Sequence, residues 1–215
     1  ILSYYISYFK NEEKIITEGE TSAEIHSKYN FKSKDVIFLL NPMELVSNEK
    51  TTIIDKFNLY QVERFRYLIN DEELIGEKIL INTKYKLPTS DKFYFKNAIV
   101  NFKKQTFYGT ETNIKVRKDI FDNSDNDPRI VGVSAESKNN KTVINKGVFT
   151  SCKQNDNCTP WSIKAKEIIH DNNKNEITYK NAVLKIYDFP VLYFPKFFHP
   201  DPTVNRRSGF LKPQI

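Results

Sequence analysis

The sequence is short of the residues that catalytic and metal sites draw on. Its 215 residues include three histidines, two cysteines, six glycines and one methionine. His26, His170 and His199 stand far apart without ligand spacing. Two cysteines alone cannot close a structural zinc site. There is no G-x-S-x-G turn, no glycine-rich phosphate loop and no H-E-x-x-H pair. The stretch EIIHD, Glu167 to Asp171, does bring a carboxylate close to an imidazole. At the end of a strand pattern, such residues read as ordinary polar groups of a turn. The expectation is a protein with no catalytic centre, no metal and no cofactor.

Long hydrophobic runs are missing as well. Nothing approaches the ~20 apolar residues of a spanning helix. The opening ILSYYISYFKNEEK has neither the basic start nor the small-residue cleavage site of a secretory leader. With no initiating Met, the sequence reads as a piece excised from something longer. At 39% hydrophobic and 28% charged residues, the composition is that of a folded, soluble domain. The formal charge of +6 is spread out, with Asp and Glu set among the lysines and no block of like charge. Its pull on a polyanion is therefore weak. Cys152 and Cys158 lie in TSCKQNDNCTPW. A disulfide in an oxidising compartment fits them better than two free thiols.

What the sequence has in quantity is strand pattern. KFYFKNAIVNF, TFYGTETNIKV, RIVGVSAES and KTVINKGVFTS are rich in β-branched and aromatic residues and are separated by turn clusters such as LPTSD and SKNNK. Alternation at period two predicts one face carrying Ala98, Val100 and Phe102, with Phe95 set beside it, and another carrying Val131, Val133 and Ala135. The same habit gives Trp161, Ile163 and Ala165, then Ile177 and Tyr179, then Ala182, Leu184 and Ile186. LYQVERFRYLINDEEL fits neither period cleanly and reads as strand or irregular chain. FKNAIVNF, NKGVFTS and YKNAVLKI echo one another, and IITEGETSAEIHSKYNFKSKDVIFLL repeats a strand, turn, strand unit. The expected fold class is all-β, a stack of repeated antiparallel modules. The apolar stripe of such a stack either closes as a dry sandwich, which periodicity alone favours, or stays open as a long groove.

GVFTSC, PWSIKAKEIIHD, ITYKNAVLKI and FPVLYFPKFFHPDPTVNRRSGFLKP follow one another between Gly147 and Pro213. In order and spacing they resemble the periplasmic part of the LptD (OstA) family of outer-membrane lipopolysaccharide-assembly proteins. The RRSGFL turn after a proline-aromatic strand is the most specific element. From Ile6 to Ser137 the likeness is one of strand style only. The resemblance implies an OstA-type β-jellyroll, or β-taco, with a V-shaped apolar interior in which lipopolysaccharide acyl chains travel. On this reading residues 1–198 form the periplasmic domain and residues 199–215 the junction to a membrane β-barrel. Pro190, Pro195, Pro200, Pro202, Arg206, Arg207, Gly209 and Pro213 become junction or gate candidates, since prolines suit edges and breaks in a ladder. The fifteen alternating residues named above become candidates for the groove lining.

The implied partners are lipopolysaccharide through its lipid A acyl chains, the periplasmic bridge protein LptA and the lipoprotein LptE. The implied location is the periplasmic side of a Gram-negative outer membrane. In the family, the cysteine at the TSC position bonds to a distant cysteine of the barrel. Cys152 matches that position, whereas Cys158 departs from the pattern and offers a local partner. Two other readings stay open. One is a separate bridge component like LptA or LptC, which would not be expected to carry RRSGFL. The other is a basic β module that binds glycan or nucleic acid, against which the strand-interior placement of the aromatics argues.

Overall fold

The computed structural model describes residues 1–87, 90–116, 127–152 and 160–200. Within them the chain is almost wholly extended, as its β-branched and aromatic content predicts. The first nine strands are β1 (Leu2–Phe9), β2 (Lys14–Ile25), β3 (Tyr29–Lys34), β4 (Ile37–Leu40), β5 (Met43–Ser47), β6 (Thr51–Ile54), β7 (Leu59–Val62), β8 (Arg64–Leu68) and β9 (Glu73–Asn82). The remainder are β10 (Lys92–Asn101), β11 (Thr106–Lys115), β12 (Arg129–Lys138), β13 (Lys141–Thr150), β14 (Trp161–Asp171), β15 (Glu176–Ile186) and β16 (Phe189–Pro200). The ambiguous LYQVERFRYLI becomes β7 and β8, broken at Glu63.

All of these strands join one antiparallel sheet, but its two halves close differently. From β9 to β16 each strand pairs with the next in sequence order, a plain meander. The earlier part closes into a ring. One end of β2 pairs with β3 and the other with β4, while β9 pairs with β7 at residues 80–82 and with β8 at residues 73–77. The order β9-β7-β6-β3-β2-β4-β5-β8 therefore returns to β9. Long strands thus serve two walls, bending in the middle.

A single line of backbone irregularities makes that bend. Lys78, Glu111, Lys146 and Asn181 sit mid-strand in β9, β11, β13 and β15 with φ between 46° and 49°. Each opposes a residue left out of the ladder, namely Lys96, Val133, Lys166 and Pro195. In β2 the same role falls to Gly19, whose φ of +80° is natural only for glycine. Its N–H donates to Asp35 Oδ1 at 2.7 Å, holding the turned backbone. At each of these opposed pairs one residue of either strand leaves the ladder while the register is kept, and a row of such breaks is a crease. A proline in the middle of β16 is tolerated because Pro195 lies on that crease, where no ladder bond is required of it.

The core fills the fold of the crease. In the ring it is aromatic, with Phe31 tilted against Tyr67 at 5.0 Å and Phe65 at 6.1 Å between ring centroids. Along the meander it is built from Phe95, Ala98, Ile114, Ile130, Ala135, Ile144, Ile168, Tyr179 and Ala182, all buried.

Candidate functional site

The crease decides which side chains face inward. A strand alternates faces residue by residue, and the residue that leaves the ladder at the crease, αL in one strand of each pair, shifts the phase by one. Inward residues therefore fall at i, i+2, i+5 and i+7. In β10 they are Phe93, Phe95, Ala98 and Val100; in β13 they are Thr142, Ile144, Gly147 and Phe149. In β15 they are Ile177, Tyr179, Ala182 and Leu184. The first wall holds residues 79–82, 92–95, 112–115, 129–132, 147–150, 161–165 and 182–186 of successive strands. The second holds residues 73–77, 97–101, 106–110, 134–138, 141–145, 167–171 and 176–180.

The two walls touch along the interior. Phe95 meets Phe107 at 5.2 Å, Phe149 meets Tyr179 at 6.3 Å and Phe194 meets Phe197 at 5.4 Å between centroids, each pair joining opposite walls. Burial pushes the Tyr179 phenol above its ordinary pKa. Its hydroxyl lies 3.1 Å from His199 Nε2, and His199 Nδ1 lies 2.8 Å from the Pro200 carbonyl. A carbonyl only accepts, so Nδ1 carries the hydrogen and Nε2 accepts from Tyr179. Outside, charge lines the crease. Lys78 pairs with Glu63 and Lys96 with Glu111, both at 2.6 Å, and Lys180 with Glu167 at 2.8 Å.

Most of the sequence-predicted lining residues come together inside this fold. Phe95, Ala98, Val100, Ala135, Ala165, Ile177, Tyr179 and Ala182 are buried in it, and Trp161, Ile163 and Leu184 line it half-buried. Phe102 is also buried, but beyond the end of β10, against the aromatics of the ring. Ile186 lies at the rim and is 44% exposed. Val131 and Val133 require a correction. They do not share a face with Ala135 but point outward, 47% and 56% exposed. The ladder break between Gly132 and Ser134 reverses the alternation there. The inward residues of β12 are Ile130, Gly132 and Ala135.

Pattern reading also missed Ile79, Ile81, Ile114, Ile144, Phe149 and Ile168, buried residues that alternate cleanly within each half-strand. Pro190, Pro195 and Pro200 all lie in β16, which among the described residues pairs only with β15. Pro202, Arg206, Arg207, Gly209, Pro213 and Cys158 lie outside the described residues. Cys152 is half-buried, forms no disulfide among the described residues, and its backbone carbonyl accepts from Arg129. The outer strands β1 and β16 are apolar and open to solvent, with Leu2, Tyr4, Tyr5, Phe189 and Phe198 all exposed.

No family model matches the chain. Curated relatives do. The chain is 42% identical over 72 residues to LPS-assembly protein LptD of Yersinia pestis, a stretch that is 34% of this chain and 9% of the relative. It is 43% identical over 72 residues to LPS-assembly protein LptD of Hahella chejuensis, with the same coverage. It is 36% identical over 72 residues to LPS-assembly protein LptD of Legionella pneumophila, covering 34% of this chain and 8% of the relative. The chain thus matches less than a tenth of the length of these relatives, and about a third of it is homologous to them.

Proposed function

We propose that this chain is a lipid-conducting domain of lipopolysaccharide assembly, lying on the periplasmic side of a Gram-negative outer membrane. The observation that carries the reading is the continuous cluster of buried hydrophobic side chains that runs from Ile79 to Tyr179 across the creased sheet. The homology to proteins named LPS-assembly protein LptD supports it. Acyl chains would take the place of the wall-to-wall contacts, with the walls parting along the mouth opposite the crease. Each methylene taken from water contributes about 0.8 kcal/mol, which works against the loss of contacts between walls. The polar part of the lipid would remain outside, level with the mouth.

In this reading LptA hands the lipid on and LptE acts with a barrel that follows in the longer protein. β16, an edge strand interrupted by prolines, would lead towards that barrel, with the boundary near residue 198. Arg206 and Arg207 would then lie near anionic headgroups.

Site-specific photocrosslinking in cells making the full-length protein tests the reading. Probes replace Ala165 and Leu184, which face inward, and Lys164 and Val183, which occupy the opposite face in register. Lipopolysaccharide adducts at the first pair alone are expected. Adducts at the second pair alone would put the lipid on the wrong face, and silence at all four would remove the conduit.

A further inference from the structure

The mouth of the V is fastened across the ring. His26, just beyond the end of β2 on the first wall, has Nε2 3.0 Å from the Ile69 carbonyl of the second wall. Tyr29, on the first-wall rim, donates its hydroxyl to Glu72 Oε2 of the second wall at 3.0 Å. Between them lies Phe102, carried by the turn after β10 on the second-wall rim. Its ring stacks on Tyr29 at 4.9 Å and 29°, and also meets Tyr60 of β7 at 4.9 Å. The turn that carries it is tied down. Phe102 N–H donates to the Glu72 carbonyl at 2.8 Å, and Asn101 Nδ2 donates to the Asp71 carbonyl at 3.2 Å.

Directly beneath Phe102 is Tyr67 of β8, 5.9 Å away between centroids and 0% exposed. Its hydroxyl has no hydrogen-bond partner among the described residues. A buried donor left unmade is costly, and phenylalanine would fill the same space without it. Phe102, which packs over the Tyr67 ring from the rim, is held on a turn rather than within a strand.

Building on the lipid-conducting reading, we propose that Phe102 is a latch over the mouth of the ring and that Tyr67 beneath it is a lipid-binding residue. When the Phe102 ring swings off Tyr29 and Tyr60, its turn staying in place, the Tyr67 hydroxyl meets the incoming ligand. The chemistry that suits a lone phenol at the floor of an apolar trough is the carbonyl of an ester or amide linkage at the head of an acyl chain. Tyr67 would hold that linkage while the chain itself lies along Phe31 and Leu74. The latch thus sets how fast lipid enters, and the phenol sets how long it stays.

Stopped-flow binding of a fluorescent diacyl phosphatidylcholine to the 215-residue chain, alongside the ether-linked analogue that lacks both carbonyls, tests each half. Phe102→Ala should speed association of both probes about 5-fold, and Phe102→Leu should speed it less, because leucine opens the stack but still fills more of the mouth than alanine. Tyr67→Phe should speed dissociation of the ester probe about 5-fold, the loss of one hydrogen bond, and leave the ether probe unchanged. Emission from Trp161, remote from the ring, reports that each variant is folded. Unchanged association in both Phe102 variants overturns the latch. Equal effects of Tyr67→Phe on the two probes overturn its role as donor. If neither probe binds any variant, the proposal falls, and silence of the photocrosslinks at Ala165 and Leu184 would show that the conduit falls with it.

Discussion

Phe95 and Gly109 meet across the crease so closely that a Cβ on the glycine would lie 2.3 Å from the Phe95 ring. One stands on the first wall and the other on the second, so the absence of a side chain at position 109 lets the walls close. The contact is one of several that fold the sheet shut, but here the obstructing atoms belong to a ring wholly buried among its neighbours.

Gly109→Ala should therefore destabilise the chain by about 1–3 kcal/mol, the range for overpacking a dense core. Urea denaturation measures it. In a Phe95→Leu background the same substitution should cost less than half as much, because the smaller side chain yields the space. Additive costs in the double variant would mean that the two residues do not meet.

Glu44 and Arg66 offer a test of electrostatics. The Glu44 carboxylate is buried and receives Arg66 Nε at 2.6 Å, with a second contact through Nη2. The Arg66 hydrogen bond holds Glu44 below its ordinary pKa of 4.5, against the opposing effect of burial. A lowered native pKa means that the unfolded chain binds the proton more readily. The stabilisation is then complete above pH 4.5 and is lost as pH falls below it. Melting temperatures between pH 7 and pH 3 should fall less steeply in Glu44→Gln than in the natural chain. Parallel curves would show that the pair contributes nothing to acid sensitivity.

Tyr29 gives the opposite limb. Burial first, and then its hydrogen bond to Glu72, push its phenol up to about 12. Here the native state holds its proton more tightly than the unfolded chain does, so the contribution is complete below pH 10 and disappears as pH rises towards 12. At pH 8, Tyr29→Phe should cost about 0.5–1.5 kcal/mol through the lost rim-to-rim bond. The gap should narrow in melts taken above pH 10. A gap that stays constant through pH 11.5 would separate the phenol from the fastening of the mouth.

How far the fold could be read from the sequence depended on which feature carried it. Strand existence was plain, because each of β10 to β15 is a β-branched and aromatic run bounded by turn residues. The phase break inside those strands was not. Three of the four mid-strand αL positions on the meander and at its start are Lys78, Glu111 and Lys146, residue types that give no hint of positive φ. Val131, Val133 and Ala135 looked like one face for that reason. In β15 the break is marked by Asn181, which tolerates αL, and there the sets Ile177, Tyr179 and Ala182, Leu184 had already separated in the pattern. The rim contacts were beyond sequence reading altogether. Tyr29 and Glu72 are 43 positions apart, and only closure of the ring brings them together.

Lys146 allows the crease itself to be tested without disturbing a side-chain contact. Its φ is 49° in the middle of β13, and no ion pair of its side chain is found among the described residues. An L-residue other than glycine pays about 1–2 kcal/mol for this conformation, whereas glycine adopts it freely but loses more backbone entropy on folding. Lys146→Gly should therefore be neutral or stabilising by up to about 1 kcal/mol. Lys146→Val, whose branched Cβ resists αL, should destabilise by about 1–2 kcal/mol. The same pair at an ordinary strand position such as Lys164 should give the reverse order, with glycine the worse of the two. If valine were better than glycine at both sites, position 146 would be ordinary strand. Ile144 and Phe149, an odd number of residues apart, could not then share the interior.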